Sequence, residues 1–480
     1  MIPWIFFYFY AGWSEGFAFP KNIHVNDWHK ELEYLRIVKV ALMQGELPFH
    51  VKGFETIFTA NSKAFLATPI YPFSIQSILL IFLEPMTFHI WNHLLLFLVG
   101  FYGCYLIKKE YDLGLTSFLF LAVTFNLYGG FVGKISAYGP ANLGYYLFPF
   151  IIYILFRLSK SDIDIDKRNN LSLSIYLSIV LSVIMFQGSL HYFVQIVTLL
   201  IFWGIFNFKH IKFLLLSAIT TILLSAARLL PAALMFGNQT RPPERIIGYG
   251  SNPEFFLQTF ISIRDILDPR HFFGWWEFSN YISIIGFGML FYFAFANYFF
   301  NRSECFNVKS FLFPLLIIFI ISFENYRLII IPHFIPLLNL ETLTTRYMFI
   351  ICLFLIFIAT INFDRFFKSL KSLKSRSFFY LLMACHILFL YANTYVWSLQ
   401  RIQKQLHGEL SINPLLNKEF LAQELRDTYR IDEITLLIEN DLTDLSYIYS
   451  FYIGVSITVL TFIGIIIFFF YQSRKVFSKA

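Results

Sequence analysis

The chain has 480 residues, of which 57% are apolar and 20% aromatic, and only 14% carry a charged side chain. A soluble domain carries about 25% charged residues, and the mean hydropathy of this chain is +0.63. The composition excludes disordered, collagenous and disulfide-framework proteins and is typical of a polytopic membrane protein. Its net charge of +7 comes from basic residues scattered between apolar runs, so we expect no nucleic-acid partner.

Apolar runs long enough to cross a bilayer, about 20 residues each, recur from one end of the chain to the other. We count twelve candidate spans, at 2–19, 86–107, 113–130, 142–157, 171–187, 190–208, 211–234, 281–300, 310–323, 345–363, 377–397 and 451–471. The stretches 70–83 and 326–340 contain or adjoin prolines, and we interpret them as re-entrant or interfacial segments. Such backbone survives at membrane depth where it is buried or lines a wet cavity. We therefore expect an all-α transmembrane bundle with a cavity open to one side.

The distribution of Lys and Arg predicts which side of the membrane each loop occupies. About half of the chain's 37 basic residues lie in short segments, at 108–109, 157–168, 209–212, 301–309, 364–376 and after 472. If these segments are cytoplasmic, both termini are cytoplasmic and three long segments lie outside: 20–69, 235–280 and 398–450. Residues 1–397 then form the transmembrane domain, 398–450 an outer helical segment, and 451–480 the final span with its basic tail.

Common enzyme motifs are missing from the sequence. The four cysteines lie in predicted spans or on the inner side without metal-ligand spacing, and there is no GxxxxGKS, HExxH or GxSxG pattern. The sequence therefore gives no support to an ATPase, a zinc protease or a serine hydrolase.

The first long loop carries the most informative pattern. Apolar residues recur there at helical spacing: Leu32, Leu35, Val38 and Leu42. They predict an amphipathic helix of about 15 residues along the outer interface, ending at Gly45. Asp27 stands just before this helix, where Asp often acts as an N-cap, although Lys30 occupies the position of the capping-box Glu. Glu31 is four residues from Asp27, and the two share a helix face if the helix begins as early as Asp27.

A series of short motifs follows in order. After the first loop, with its GELP turn and its TPIYPF re-entry, come FQGSLHYFVQ (186–195), LLSAARLLPAAL (223–234), GWWEFSNYISIIGF (274–287) and LTTRYMF (343–349). Over residues 1–363 this order resembles the GT-C superfamily of membrane glycosyltransferases, and most of all the YfhO-like bacterial membrane proteins. The resemblance implies a GT-C fold in the cytoplasmic membrane. It also implies sugar transfer from a polyprenyl-phosphate donor at the outer face.

The resemblance also assigns roles to individual residues. Asp27 matches the family's acidic residue after the first span, which acts as the general base toward the acceptor. Arg228 and Arg346 lie near the outer ends of spans, and guanidinium groups bind phosphate oxygens in a fork. Arg346 is equally placed to reach lipid headgroups. Asp27 has no adjacent second carboxylate, so a divalent ion such as Mg²⁺ or Mn²⁺ has no clear pair of ligands.

Further polar residues are candidates for substrate binding. His191 lies in a predicted outer turn, Glu277 follows a Trp-Trp pair, and Glu31 lies on the amphipathic helix. Each has an ordinary alternative: an interfacial His, an aromatic belt or a solvated helix face. Lys134 follows Gly129-Gly130, and we interpret it as a basic residue that sets topology or contacts lipid headgroups.

Three functional classes remain open on the sequence. The first is the glycosyltransferase, whose partners are the polyprenyl-phosphate sugar, membrane lipids and a glycan, lipid or protein acceptor. The second is a non-catalytic scaffold of the same fold that binds a lipid or a partner. The third is a transporter or flippase, which twelve spans would suit, although no internal repeat is evident.

Overall fold

The computed structural model describes residues 28–51, 64–68, 73–160, 167–236, 256–263, 277–296, 309–323, 344–398 and 444–477. Within these ranges every regular element is a helix. The α-helices are α1 Trp28–Gln44, α2 Pro85–Tyr111, α3 Leu115–Asn126, α4 Gly129–Tyr138, α5 Phe148–Lys160, α6 Lys167–Phe186, α7 Leu190–Phe206, α8 Ile211–Leu224, α9 Ala226–Phe236, α10 Phe256–Ile261, α11 Ser283–Leu290, α12 Lys309–Ile321, α13 Met348–Ser369, α14 Leu373–Ser398 and α15 Leu445–Phe477. Short 3₁₀ segments join several of them, and a π-helical turn, Phe291–Ala296, extends α11. The predicted first span, the stretch 326–340 and residues 399–443 of the predicted outer segment lie outside the described residues.

Six helical segments of the described chain are long and apolar enough to cross a membrane: Thr87–Tyr111, Leu115–Ile135, Ala141–Ser159, Thr344–Ser369, Leu373–Thr394 and Leu445–Arg474. A seventh is the pair Leu190–Phe206 and Phe208–Leu224, bent by 117°, if it forms one broken span. Shorter apolar helices occupy the other predicted spans: Asn170–Phe186, Ala226–Met235, Ser283–Phe295 and Ser310–Ile321. The prediction of an all-helical bundle is therefore confirmed for the described residues, in which six or seven segments are candidates for crossing a membrane by length and composition.

Helix α1 is the amphipathic helix that the first loop predicts. Its buried face is wider than the predicted stripe, because Tyr34, Ile37 and Ala41 are buried beside Leu35 and Val38. It packs against α2 and the 3₁₀ segment 139–147, so it forms part of the bundle rather than only lying along an interface. Its end is the predicted one. Gly45 has a φ of +72°, and Glu46 N–H donates to Ala41 O at 2.9 Å, as in a Schellman motif.

The start of the last helix lies at the same end of the bundle as α1. Tyr447 of α15 donates a hydrogen bond to Phe49 O at 3.4 Å and accepts one from Ala67 N–H at 3.2 Å. The ring of Phe49 packs edge-on against Tyr447 and Phe451. We call this end of the bundle, which contains α1, 49–51 and 64–68, the α1 end.

Two predicted basic loops meet at the opposite end. Asp364 of α13 accepts a hydrogen bond from Gly114 N–H at 2.7 Å, at the start of α3. It also pairs with Lys368 at 2.9 Å, and Lys368 contacts Asp112. These contacts bring 108–114 and 364–376 to one side, as the alternation of spans requires.

Helices approach closely where their facing residues are small, as is usual in membranes. Between α6 and α8, the hydroxyls of Ser174 and Ser217 lie 3.0 Å apart, and Ser178 Oγ donates to Ser217 O at 2.9 Å. Between α9 and α15, a Cβ added to Gly454 would lie 2.5 Å from Ala226 O. The backbones of α9 and α15 are therefore in direct contact.

The predicted span 211–234 is divided into two helices at Ser225. The break leaves Ala227 N–H outside the helical ladder, and it donates to Thr458 Oγ1 of α15 at 3.2 Å. A break at membrane depth is tolerated when neighbouring helices satisfy the freed backbone groups. This partner explains how a break at Ser225 is tolerated.

The Pro-flanked stretch 70–83 forms a seven-residue 3₁₀ helix, Ile75–Ile81. We call Ile75–Ile81 together with Phe82 the wedge. Ile75 is 92% exposed and Phe82 80% exposed, so the wedge presents large apolar side chains to the surroundings of the bundle. Its entry is fixed to α6, because Phe73 N–H donates to Phe186 O at 3.0 Å.

Candidate functional site

Two of the predicted site residues form one ion pair. Arg346 lies in the 3₁₀ turn that precedes α13, and Glu277 lies before α11. Arg346 Nε donates to Glu277 Oε2 at 2.8 Å, and Arg346 Nη2 donates to Glu277 Oε1. The Glu277 side chain is 0% exposed and that of Arg346 is 11% exposed. Residues that the sequence assigned to separate substrate contacts thus form a buried, bidentate pair.

Two buried hydroxyl groups flank this pair along the chain. Ser279 Oγ and Thr344 Oγ1 have no hydrogen-bond partner among the residues that the structure describes. Such groups are rare in proteins, and an ordered water or ion is one explanation for them. The neighbourhood of the Glu277–Arg346 pair therefore has hydrogen-bonding capacity that the described residues do not use.

Arg228 lies in α9 and is buried, with 1% of its surface exposed. Its Nη1 donates to Leu66 O at 3.2 Å, and its Nη2 donates to Thr68 O at 2.9 Å. The guanidinium group thus holds the segment 64–68 against α9 at the α1 end. The sequence assigned Arg228 to phosphate, and these backbone contacts are a role that it did not foresee.

An apolar groove of about 520 Å³ lies between α6, α9, α15 and the wedge. Ala227, the residue before Arg228, lines it together with residues of α6, α15 and the wedge, among them Val183, Val455 and Ile78. Its volume falls in the range of about 300–1,000 Å³ that is usual for ligand sites. We call it the first groove. Its aliphatic and aromatic walls suit a hydrocarbon chain.

The remaining predicted carboxylates and the histidine have different positions. Glu31 is buried in the bundle, so the solvated-face interpretation is wrong for this residue. His191 is half-buried at the start of α7, in a turn where Gly188 has a φ of +75°. Asp27 lies outside the described residues, one position before α1.

Lys134 is a buried residue whose importance the sequence did not reveal. It is 4% exposed, and its Nζ lies 5.8 Å from the ring centroid of Tyr192 and 5.7 Å from that of Phe349. Cation–π contacts of this kind are stronger where water is excluded. The interpretation of Lys134 as a headgroup contact is therefore wrong. Because Tyr192 follows His191 and Phe349 lies one turn after Arg346, Lys134 links two predicted parts of the site.

A chain of amide side chains also runs inward from the wedge. Gln76 Nε2 donates to Asn92 Oδ1 at 3.3 Å, and Asn92 Nδ2 donates to Gln187 Oε1 at 3.2 Å. Gln187 belongs to the motif FQGSLHYFVQ. The other two members of the chain, Asn92 and Gln76, lie 95 and 111 positions earlier and belong to none of the motifs.

Within the described ranges, no group of three or more His, Cys, Asp and Glu residues could hold a metal ion. Asp27 lies outside those ranges.

Comparison with known proteins identifies no relative: no protein-family model matches the chain, and no curated protein or solved structure matches it.

Proposed function

We propose that this chain is a membrane glycosyltransferase of the GT-C type. In this proposal it transfers a sugar from a polyprenyl-phosphate donor to an acceptor at the outer face of the cytoplasmic membrane. The observation that carries the proposal is the first groove, an apolar groove lined by Ala227, which precedes the buried Arg228 in α9. A lipid phosphate needs both features, a place for its hydrocarbon chain and a cation near its head.

The donor chain occupies the first groove between the wedge, α6 and α15. Hydrocarbon tails and apolar side chains have the same polarity. A lipid chain that enters the groove from the bilayer therefore gains van der Waals contacts and no hydrophobic free energy of transfer. Selectivity for the donor then depends on its head. Arg228 lies next to the groove residue Ala227, and Arg346 and Lys134 are further cations of the α1 end.

The chemistry requires a base, a leaving group and a sugar site. Asp27 takes the proton of the acceptor hydroxyl, whose oxygen bonds to the sugar's anomeric carbon while the bond to the polyprenyl phosphate breaks. A base of this kind contributes about 10²–10⁴-fold to the rate. The Glu277–Arg346 pair, the nearby hydroxyls of Ser279 and Thr344, and His191 and Glu31 are the groups available to the sugar.

The proposal includes a topology. The chain crosses the membrane twelve times, both termini are cytoplasmic, and the α1 end is outside. The basic segments 108–112 and 364–376, which contact each other at the opposite end, then face the cytoplasm as the positive-inside rule expects.

A second candidate is a non-catalytic lipid-binding scaffold of the same fold. It is favoured by one observation: the two guanidinium groups assigned to phosphate both donate to protein acceptors. Arg228 is bonded to backbone carbonyls, and Arg346 is bonded to Glu277. A scaffold would bind the donor lipid without transferring its sugar.

Transfer and binding by an Asp27→Asn variant separate the two candidates. Asparagine keeps the size and much of the capping ability of Asp27 but cannot accept a proton. In membranes supplied with a panel of polyprenyl-phosphate hexoses and pentoses, we expect the parent to consume one donor. The variant should lose transfer at least about 10²-fold while still binding polyprenyl phosphate.

Two results would contradict the proposal that this chain is a glycosyltransferase. Activity of the variant within about twofold of the parent would remove Asp27 as the base, because a general base contributes far more than that. Binding of polyprenyl phosphate by the parent, with no transfer from any donor of the panel, would favour the scaffold.

A further inference from the structure

The wedge has a second groove on its other side. This second groove has a volume of about 320 Å³ and lies between the wedge and the first turns of α2. Gln76 and Leu79 line it from the wedge, whereas the neighbouring residues Ile75 and Ile78 line the first groove. One short helix thus separates two grooves.

We propose that the second groove binds a neutral, hydroxyl-bearing lipid, and that this lipid is the acceptor of the sugar. The role as acceptor rests on the function proposed above, whereas the lipid site itself does not. The inference narrows the acceptor from a glycan, lipid or protein to a lipid whose head carries free hydroxyls.

The surroundings of the groove favour a lipid chain as its occupant. Its α2 wall, which includes Trp91 and Leu95, belongs to the segment Thr87–Tyr111, which is long and apolar enough to cross a membrane. Trp91 is 56% exposed and Leu95 45% exposed. A concave apolar surface at this depth faces hydrocarbon rather than water, so a lipid chain is the molecule available to fill it.

Two neutral amides in the lining indicate which lipid head the groove favours. Gln76 and Asn92 are its polar lining residues, and none of the residues that line it is charged. Asn92 continues the amide chain to Gln187, which is 1% exposed and whose Nε2 has no hydrogen-bond partner among the described residues. Amides both donate and accept hydrogen bonds, as hydroxyl groups do, and the lining supplies no positive charge to a phosphate. The second groove therefore suits a neutral head with hydroxyl groups.

The two grooves differ in their polar lining. The first is lined by hydroxyl groups, those of Ser74, Ser77, Ser182 and Thr458, and the second by the amides of Gln76 and Asn92. The wedge between them has the width of one helix, about 10 Å with its side chains. Two lipids held on its two faces would lie about that far apart.

Photo-crosslinking with a defined glycolipid tests this site without any transfer reaction. The probe is monoglucosyl-diacylglycerol with a diazirine in one acyl chain, in nanodiscs of phosphatidylcholine, with labelled peptides identified by mass spectrometry. We expect labelling to concentrate on 76–95. Gln76→Leu, which removes one neutral hydrogen-bonding group, should reduce it about fivefold.

A matched pair of variants controls for nonspecific effects of bulk. Leu95→Trp places a larger side chain in the second groove and should abolish the concentrated labelling. Leu119→Trp adds the same bulk to α3 at a position of nearly equal exposure, 47%, outside both grooves, and should leave it unchanged. Labelling that is uniform along α2 and α3, or unaffected by Leu95→Trp, would overturn the lipid site.

A second probe tests the selectivity for the head. Phosphatidylglycerol with the same diazirine chain should label 76–95 much less than the glucolipid, and equal labelling would refute the preference for a neutral head. If the glucolipid labels the groove but no donor transfers a sugar to it, the lipid site stands and its role as acceptor is refuted. If a soluble acceptor is glycosylated while the groove takes no glucolipid, the enzyme stands and the second site is refuted.

Discussion

Disruption of the Glu277–Arg346 pair should show whether it stabilises the bundle. Removing one member of a buried ion pair costs about 3–5 kcal/mol, because the other charge stays buried without its partner. Arg346 retains 11% exposure, so we expect Glu277→Gln to cost about 3 kcal/mol, the lower end of that range. Arg346→Gln leaves a carboxylate that is 0% exposed and should cost at least as much.

The decisive comparison is between the stability of the double variant and that of the two single variants. Two glutamines can bond to each other and leave no buried charge, so the double variant should be about as stable as the better single variant. The coupling between the two sites then equals the cost of the less stable single variant, about 3 kcal/mol, at the upper end of the range for residues in direct contact. The assay is thermal unfolding in one detergent, followed by tryptophan fluorescence for the parent, both single variants and the double variant.

Additive effects would refute this reasoning, since they would mean that the two side chains do not depend on each other. Arg346→Lys adds a further check, because it retains the charge but loses the two-point fork. Its unfolding midpoint should lie between those of the parent and Arg346→Gln. In a polyprenyl-phosphate binding assay, Arg346→Gln should weaken binding about tenfold or more if Arg346 also contacts the phosphate, as for a hydrogen bond to a charged group.

Two further predictions concern packing and topology. A Cβ added at Gly454 would lie 2.5 Å from the backbone of Ala226, whereas a Cβ added at Gly464 would meet nothing within 4 Å. Gly454→Val should therefore lower the unfolding midpoint, and Gly464→Val should leave it unchanged. Equal effects of the two variants would contradict the close contact of α9 and α15. A cysteine replacing Met43, which is 65% exposed at the α1 end, should react with an impermeant thiol reagent in intact cells, and one replacing Lys371 should react only after permeabilisation. The reverse labelling would place the α1 end inside and end the proposed topology.

Local pattern was sufficient to predict the helices. Each predicted span from residue 86 onward coincides with a helix or with a consecutive pair of helices, because the length of an apolar run is a local property that needs no partner. The end of α1 at Gly45 was predictable for the same reason, since a left-handed C-terminal residue is favoured by the glycine itself.

Contacts between distant parts of the chain were decided by the tertiary structure alone. Glu277 and Arg346 are 69 positions apart, and each was a plausible substrate contact until their pairing was known. The break at Ser225 depends on Thr458, and the burial of Lys134 depends on Tyr192 and Phe349. A sequence pattern indicates whether a segment favours a helix and whether it favours an apolar or an aqueous environment. The partner of a charge or of a freed backbone group is fixed only when the helices pack, because the alternative is an unsatisfied polar group in an apolar environment.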